Sequence, residues 1–213
     1  GGKLDGVDGL PRVRGDDIRP ALAKFEPGDI LFVGNSGGLS HVMMYVGPDT
    51  VIHSMATEKT MRGQMGSLWD ALRRPIWWTF GFRDKTGVIK ESLTAFLDRY
   101  ERDTWALARR VDLSAEQIDT GLAHIETLIG AKYDYDFNAG DDEYYCTEIV
   151  TEYLEAAGVP ESFPTRHVKL PLLLDTHIIE PISLLSSVEI RPVLASESSQ
   201  VKFAEELTGA EVV

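Results

Sequence analysis

Apolar residues along the chain alternate between two periods. The turn signal Phe25-Glu26-Pro27-Gly28-Asp29 feeds a short apolar run at residues 30–33, and Gly34-Asn35-Ser36-Gly37-Gly38 breaks it. His41-Val42-Met43-Met44-Tyr45-Val46 follows as a buried-strand pattern. Gly47-Pro48-Asp49 then turns the chain into Val51-Ile52-His53-Ser54-Met55, which predicts a hairpin. Residues 77–83 and 105–111 also read as strands. Between these strands the period lengthens. Ile89, Leu93, Phe96, Leu97 and Tyr100 recur at helical spacing, and Ser67 and Pro75 bracket a short helix through Leu68 and Leu72.

Two helices are predicted after residue 111. Ser114 and Gln117 form a capping box ahead of Ile118, Leu122, Ile125 and Ile129, with Gly130 as the stop. A second helix starts at Cys146 and buries Ile149, Val150, Tyr153, Leu154 and Ala157 before Gly158 and Pro160 close it. Antiparallel strands, a helical insert and two helices around the cysteine predict an α+β fold in one folded unit. Its parts are a Gly-, Asp- and Arg-rich lead-in (1–24), a domain (25–185) with a helical insert (56–103), and a polar, acidic tail (186–213).

Charge narrows the function classes. The formal net charge of -13 argues against binding nucleic-acid backbones or anionic membranes. Residues 134–155 contain eight acids and no Lys or Arg. Such a stretch is either a solvated face or a recognition surface for a substrate amino group, with Asp141 and Asp142 as its candidates. No apolar run is long enough for a transmembrane helix. The single cysteine excludes an intramolecular disulfide framework and leaves the compartment open. A periplasmic or secreted setting is preferred over the cytoplasm.

That cysteine, Cys146, is also the most reactive side chain on offer. A helix N-terminus favours its thiolate through open N–H groups and a positive dipole end, and a histidine that takes the proton favours it more. His41 opens its strand directly after the Gly-rich loop, and His53 lies twelve residues later across the hairpin. With an even pairing register the two share one sheet face. His41 is then the candidate base and His53 its orienting partner. The competing reading makes Cys146 a small buried hydrophobe and both histidines structural. Met43, Met44, Met55, Met61 and Met65 read as core or as the lining of a lipophilic pocket, while His124, His167 and His177 read as surface or structural. A metal site is not expected. Asp134-x-Asp136-x-Asn138 opens like a calcium loop but has Ala139 at the sixth position and Tyr145 at the twelfth. No phosphate-binding loop or dinucleotide fingerprint is present.

Pro27-Gly28-Asp29-Ile30-Leu31, Ser40-His41-Val42-Met43-Met44-Tyr45-Val46-Gly47 and Val51-Ile52-His53-Ser54 together resemble the histidine half of the NlpC-type papain-fold superfamily. Tyr144-Tyr145-Cys146-Thr147-Glu148-Ile149-Val150 follows them instead of preceding them. That order resembles the circularly permuted branch, and specifically the YaeF/YiiX-type permuted papain-like amidases. The resemblance spans about residues 25–160. It implies a small antiparallel sheet packed on the cysteine helix and a Cys146–His41–His53 site acting without a cofactor. Tyr133, Tyr145 and Glu148 are its candidate substrate-binding residues. The implied reaction is hydrolysis of an amide in a small peptide, a peptidoglycan fragment or another acyl amide. A lecithin–retinol-acyltransferase-like lipid activity and a non-catalytic binding module are the alternatives on the same fold. The first usually carries Asn-Cys-Glu-His, where this chain has Tyr145-Cys146-Thr147-Glu148.

Overall fold

A computed structural model describes residues 12–13, 18–35, 38–56, 87–99, 104–110, 112–135, 137, 142–170, 174–185, 187 and 189–196. Strands β1 (Arg12–Val13), β2 (Ile30–Asn35), β3 (Gly38–Gly47), β4 (Thr50–Met55), β5 (Gly87–Ser92), β6 (Thr104–Arg110) and β9 (Ile190–Ser196) form one seven-stranded sheet in the order β1-β9-β6-β2-β3-β4-β5. Its neighbours are antiparallel except β1 and β9, which run parallel. Strands β7 (Arg166–Leu170) and β8 (Leu174–Ile178) make a separate hairpin. The helices are a 3-10 turn at Arg19–Lys24, α1 (Leu93–Arg99), α2 (Ala115–Thr127), α3 (Cys146–Ala156) and α4 (Pro181–Leu184).

Both sheet faces are covered, which explains why the central strands are near-continuous apolar runs. On one face Ile30, Phe32, Val42, Met44 and Ile52 meet Ile125 of α2 and Ile149, Val150, Tyr153 and Leu154 of α3. Each of these large side chains contributes about 1.5–3 kcal/mol by leaving water. On the other face Leu31, Val33, Met43, Tyr45 and Val51 meet Leu93 and Phe96 of α1 together with Ile18 and Ala21. Met43, Met44 and Met55 are therefore core.

Two glycines set the spacing of these layers. A Cβ on Gly121 would lie 2.6 Å from Cδ2 of the Tyr153 ring and 2.7 Å from the Tyr153 carbonyl oxygen, so α2 meets both the side chain and the backbone of α3 there. Gly28 has φ +92° and packs under the Tyr153 hydroxyl. Its turn is fastened by Asp29, whose carboxylate accepts two hydrogen bonds from Arg109 at 2.6 and 3.0 Å and one from Glu26 N–H.

Several expectations need correction. The sheet is larger than a small antiparallel one. Ile89 belongs to strand β5, and among the described residues of the helical-period segment the helix runs over 93–99. The described part of the expected insert thus supplies a sheet strand as well as a helix. The segment read as a lead-in contributes Ile18 and Ala21 to the core. The segment read as a tail contributes β9, which pairs with β6. Helix α2 stops at Thr127, so Ile129 is exposed. The predicted elements at residues 67–75 and 77–83, and Tyr100, Met61 and Met65, lie outside the described residues.

Candidate active site

The register of β2 and β3 shifts between Val33↔His41 and Gly34↔Leu39, leaving Ser40 as an extra residue immediately before His41. Such a bulge re-aims the side chain beside it. On the other side, β3 pairs with β4 at Gly47↔Thr50, the register shifts between Gly47 and Tyr45, and the pairing continues at Tyr45↔Val51 and Met44↔Ile52. The even register beyond that shift puts His41 and His53 on one face, the arrangement for which an even pairing was required. Their rings meet directly, with His41 Nε2 2.7 Å from His53 Nδ1. Both rings are buried, and Phe96 of α1 covers them, stacked near-parallel on His41 and edge-on to His53.

The thiol approaches β3 from the opposite face. Helix α3 begins at Cys146, and Cys146 packs with the core cluster that holds Val42 and Ile149. Its insertion point is the gap where β3 and β4 stop pairing. There the Ser54 hydroxyl donates to the Tyr144 carbonyl, and the backbone N–H of Val42 is directed at Cys146 Sγ. The sulfur therefore sits against the residue that follows His41. The N–H groups of Thr147 and of Cys146 itself also point at Sγ. These donors favour the thiolate, but burial outweighs them and pushes the thiol pKa up to about 11, with the Glu148 charge adding to the rise. A thiol in this state is protonated near neutrality and needs a base to become a nucleophile.

The sequence did not reveal what lies behind His53. Its Nε2 is 3.0 Å from Glu91 Oε1 on β5, and the other Glu91 oxygen accepts from Arg99 Nη2 on α1. Burial raises the Glu91 pKa. The hydrogen bonds and charge of His53 and Arg99 more than offset this, and the carboxyl lies below its ordinary range. A single carboxylate in a distant segment has no local signal; only the β4–β5 pairing His53↔Ile89 brings it near.

The other candidate residues are placed as follows. Tyr145 is buried, its hydroxyl accepts from Ile179 N–H at 3.1 Å, and its ring meets Phe137 edge-on. Glu148 Oε2 accepts from Tyr145 N–H at 2.9 Å, capping α3. Both residues therefore hold the helix start in position. Tyr133 is half-buried beside Tyr135, in the segment whose neighbour Asp134 donates its N–H to the Tyr144 carbonyl. Asp134 Oδ1 accepts from Phe137 N–H, while Asp136 and Asn138 of the calcium-like motif are outside the described residues. Asp142 is exposed, and Asp141 is outside the described residues. His124 pairs with Glu152 at 2.8 Å, and His167 stacks on His177 across the β7–β8 hairpin. Among the described residues no group of three or more His, Cys, Asp or Glu side chains is arranged to hold a metal ion. No helix among them is long and apolar enough to cross a membrane.

A comparison with curated proteins found no match. Among solved structures, the chain is similar to that of metalloprotein YiiX from Escherichia coli O157:H7. The TM-score is 0.55 at 17% identity, over 79% of this chain and 96% of that one. At that identity the likeness concerns the fold. A family model, described as permuted papain-like amidase enzyme, YaeF/YiiX, C92 family, matches residues 24–170. The chain belongs to this family of permuted papain-like cysteine amidases, and it is a thiol-dependent hydrolase.

Proposed function

We propose that Cys146 is the nucleophile of this hydrolase, that His41 is its general base and acid, and that His53 orients His41. The observation that carries the reading is the buried His41–His53 hydrogen bond adjoining the strand residue whose N–H meets Cys146 Sγ. His41 Nε2 is engaged by His53, so His41 would serve the thiol through Nδ1. That nitrogen takes the thiol proton, and the sulfur attacks the amide carbon. The C–N bond breaks as Nδ1–H protonates the leaving amine. Water, deprotonated by the same nitrogen, then cleaves the thioester and restores the thiol. The Cys146 and Thr147 N–H groups that face Sγ in the resting site are suited to the developing oxyanion once the sulfur has bonded to carbon, a contribution of about 3–4 kcal/mol per donor.

The substrate we propose is the amide of a small peptide, with a cell-wall peptide foremost. The test is product analysis on short peptide amides, peptidoglycan fragments and phospholipid vesicles. Release of a free amine, absent in Cys146→Ala, is the expected result. Fatty-acid release without peptide cleavage would replace the amidase substrate with a lipid ester.

A further inference from the structure

We infer that Glu91, anchored by Arg99, is a positioning residue that sets the tautomers of both histidines and thereby aims the basic nitrogen of His41 at Cys146. The inference rests on the dyad proposed above and extends it by two residues outside the Cys–His–His set.

An ionised carboxylate only accepts hydrogen bonds, and a guanidinium only donates. Arg99 Nη2 donates to one Glu91 oxygen, and the other oxygen lies 3.0 Å from His53 Nε2. His53 must therefore carry its proton on Nε2. A neutral imidazole with Nε2–H has a lone pair on Nδ1. That lone pair faces His41 Nε2 at 2.7 Å, so His41 must donate from Nε2. Neutral His41 is then left with its lone pair on Nδ1, the nitrogen proposed to take the thiol proton. After proton transfer the imidazolium still donates from Nε2, and no other hydrogen bond in the row has to reverse.

The surroundings hold this row in place. The His53 side chain is fully buried and that of Glu91 is 8% exposed, so water does not compete for the bonds. Phe96 and Arg99 lie three residues apart on α1, so one short helix both covers the rings and anchors the carboxylate. Strand β5 brings Glu91 in through its pairing with β4.

Glu91→Gln is the informative variant because it keeps shape and removes charge. Arg99 can only donate, so it draws the amide oxygen and turns the NH2 group toward His53. The His53 proton then moves to Nδ1, His41 Nε2 becomes the acceptor, and the His41 proton sits on Nδ1, where it blocks the base. Adding Arg99→Met frees the amide to turn its oxygen back to His53.

The experiment is 15N NMR of histidine-labelled protein, which separates protonated from unprotonated ring nitrogens. It is paired with the rate of Cys146 alkylation by iodoacetamide at pH 6. In the parent, His53 is expected with its proton on Nε2 only. In Glu91→Gln that proton moves to Nδ1 and alkylation slows about 10–100-fold, the range known for losing the carboxylate that orients a metal-bound histidine. Glu91→Gln/Arg99→Met recovers both readouts. A parent His53 protonated on Nδ1, alone or together with Nε2, would overturn the inference even if no variant folded. An unchanged tautomer and rate in Glu91→Gln would overturn it too. The dyad is judged separately: a parent that lacks acid-shifted alkylation but shows the Nε2–H tautomer has the row without the nucleophile.

Discussion

The two faces of the sheet solve opposite problems. The face under α2 and α3 is apolar, and it presents a sulfur whose surroundings oppose charge, with a pKa pushed up to about 11. The face under α1 buries a polar row, His41–His53–Glu91–Arg99, inside an otherwise apolar layer. Buried polar groups are costly unless hydrogen-bonded, and here each member of the row has a partner. In the proposed mechanism neither face suffices for thiol chemistry: one would supply a nucleophile that stays protonated, and the other an ordered base. The gap between β3 and β4 is where they can meet.

The comparison can be broken most completely at the sulfur. Cys146→Ala is expected to reduce amide hydrolysis to background, a loss of about 10⁴-fold or more, while the unfolding midpoint changes little. A variant retaining a tenth of the activity would place the nucleophile elsewhere. Next in size are variants that damage the frame without touching either face's chemistry. Asp29→Ala leaves Arg109, whose pKa is raised mainly by its hydrogen bonds to Asp29, without its buried partner. Because Arg109 is partly exposed, we expect a loss of about 2–3 kcal/mol in denaturant unfolding, below the full cost of breaking a buried pair. The alkylation profile of Cys146 should remain intact.

Gly121→Ala pushes a methyl against the Tyr153 backbone and should cost about 1–3 kcal/mol by overpacking. If it stabilises instead, α3 is not seated as described. The smallest effect concerns acid. Because the Glu91 pKa is lowered in the folded state, its contribution to stability is present above the unfolded value of ~4.3 and is lost as pH falls through the lower folded value. Parent and Glu91→Gln unfolding curves should therefore converge as pH drops below ~4. Parallel curves down to pH ~2 would mean that Glu91 is not tied to the histidines.

How much of this was legible in the chain follows from the range of each signal. The hairpin carrying His41 and His53 is local, but its register was not legible: the pairing Gly47↔Thr50 at the turn would put the rings on opposite faces, and the register shift between Tyr45 and Gly47 brings them onto one. The cysteine helix was legible from Ile149, Val150, Tyr153 and Leu154, which repeat at helical spacing and are all buried. The β5–α1 boundary was not, because Ile89, Leu93, Phe96 and Leu97 fit a helical stripe while sheet pairing with β4 claims Ile89. Strand β9 was obscured by Pro192, which is tolerated because it falls where the β6–β9 register shifts between Leu107 and Ala108. Glu91 could not be found at all. The role proposed for it depends on a contact with His53 made 38 residues away in the chain, and such contacts leave no periodicity.

The most direct test of the central claim is the pH dependence of Cys146 alkylation by iodoacetamide in the parent and in His41→Ala. The account predicts rapid labelling of the parent well below ~8.5, the pKa of a free thiol. In His41→Ala labelling should be lost at those pH values and return only in alkali, because burial opposes the Cys146 thiolate. Slow labelling of the parent with an ordinary thiol profile, unchanged by the substitution, would contradict the pairing of Cys146 with His41.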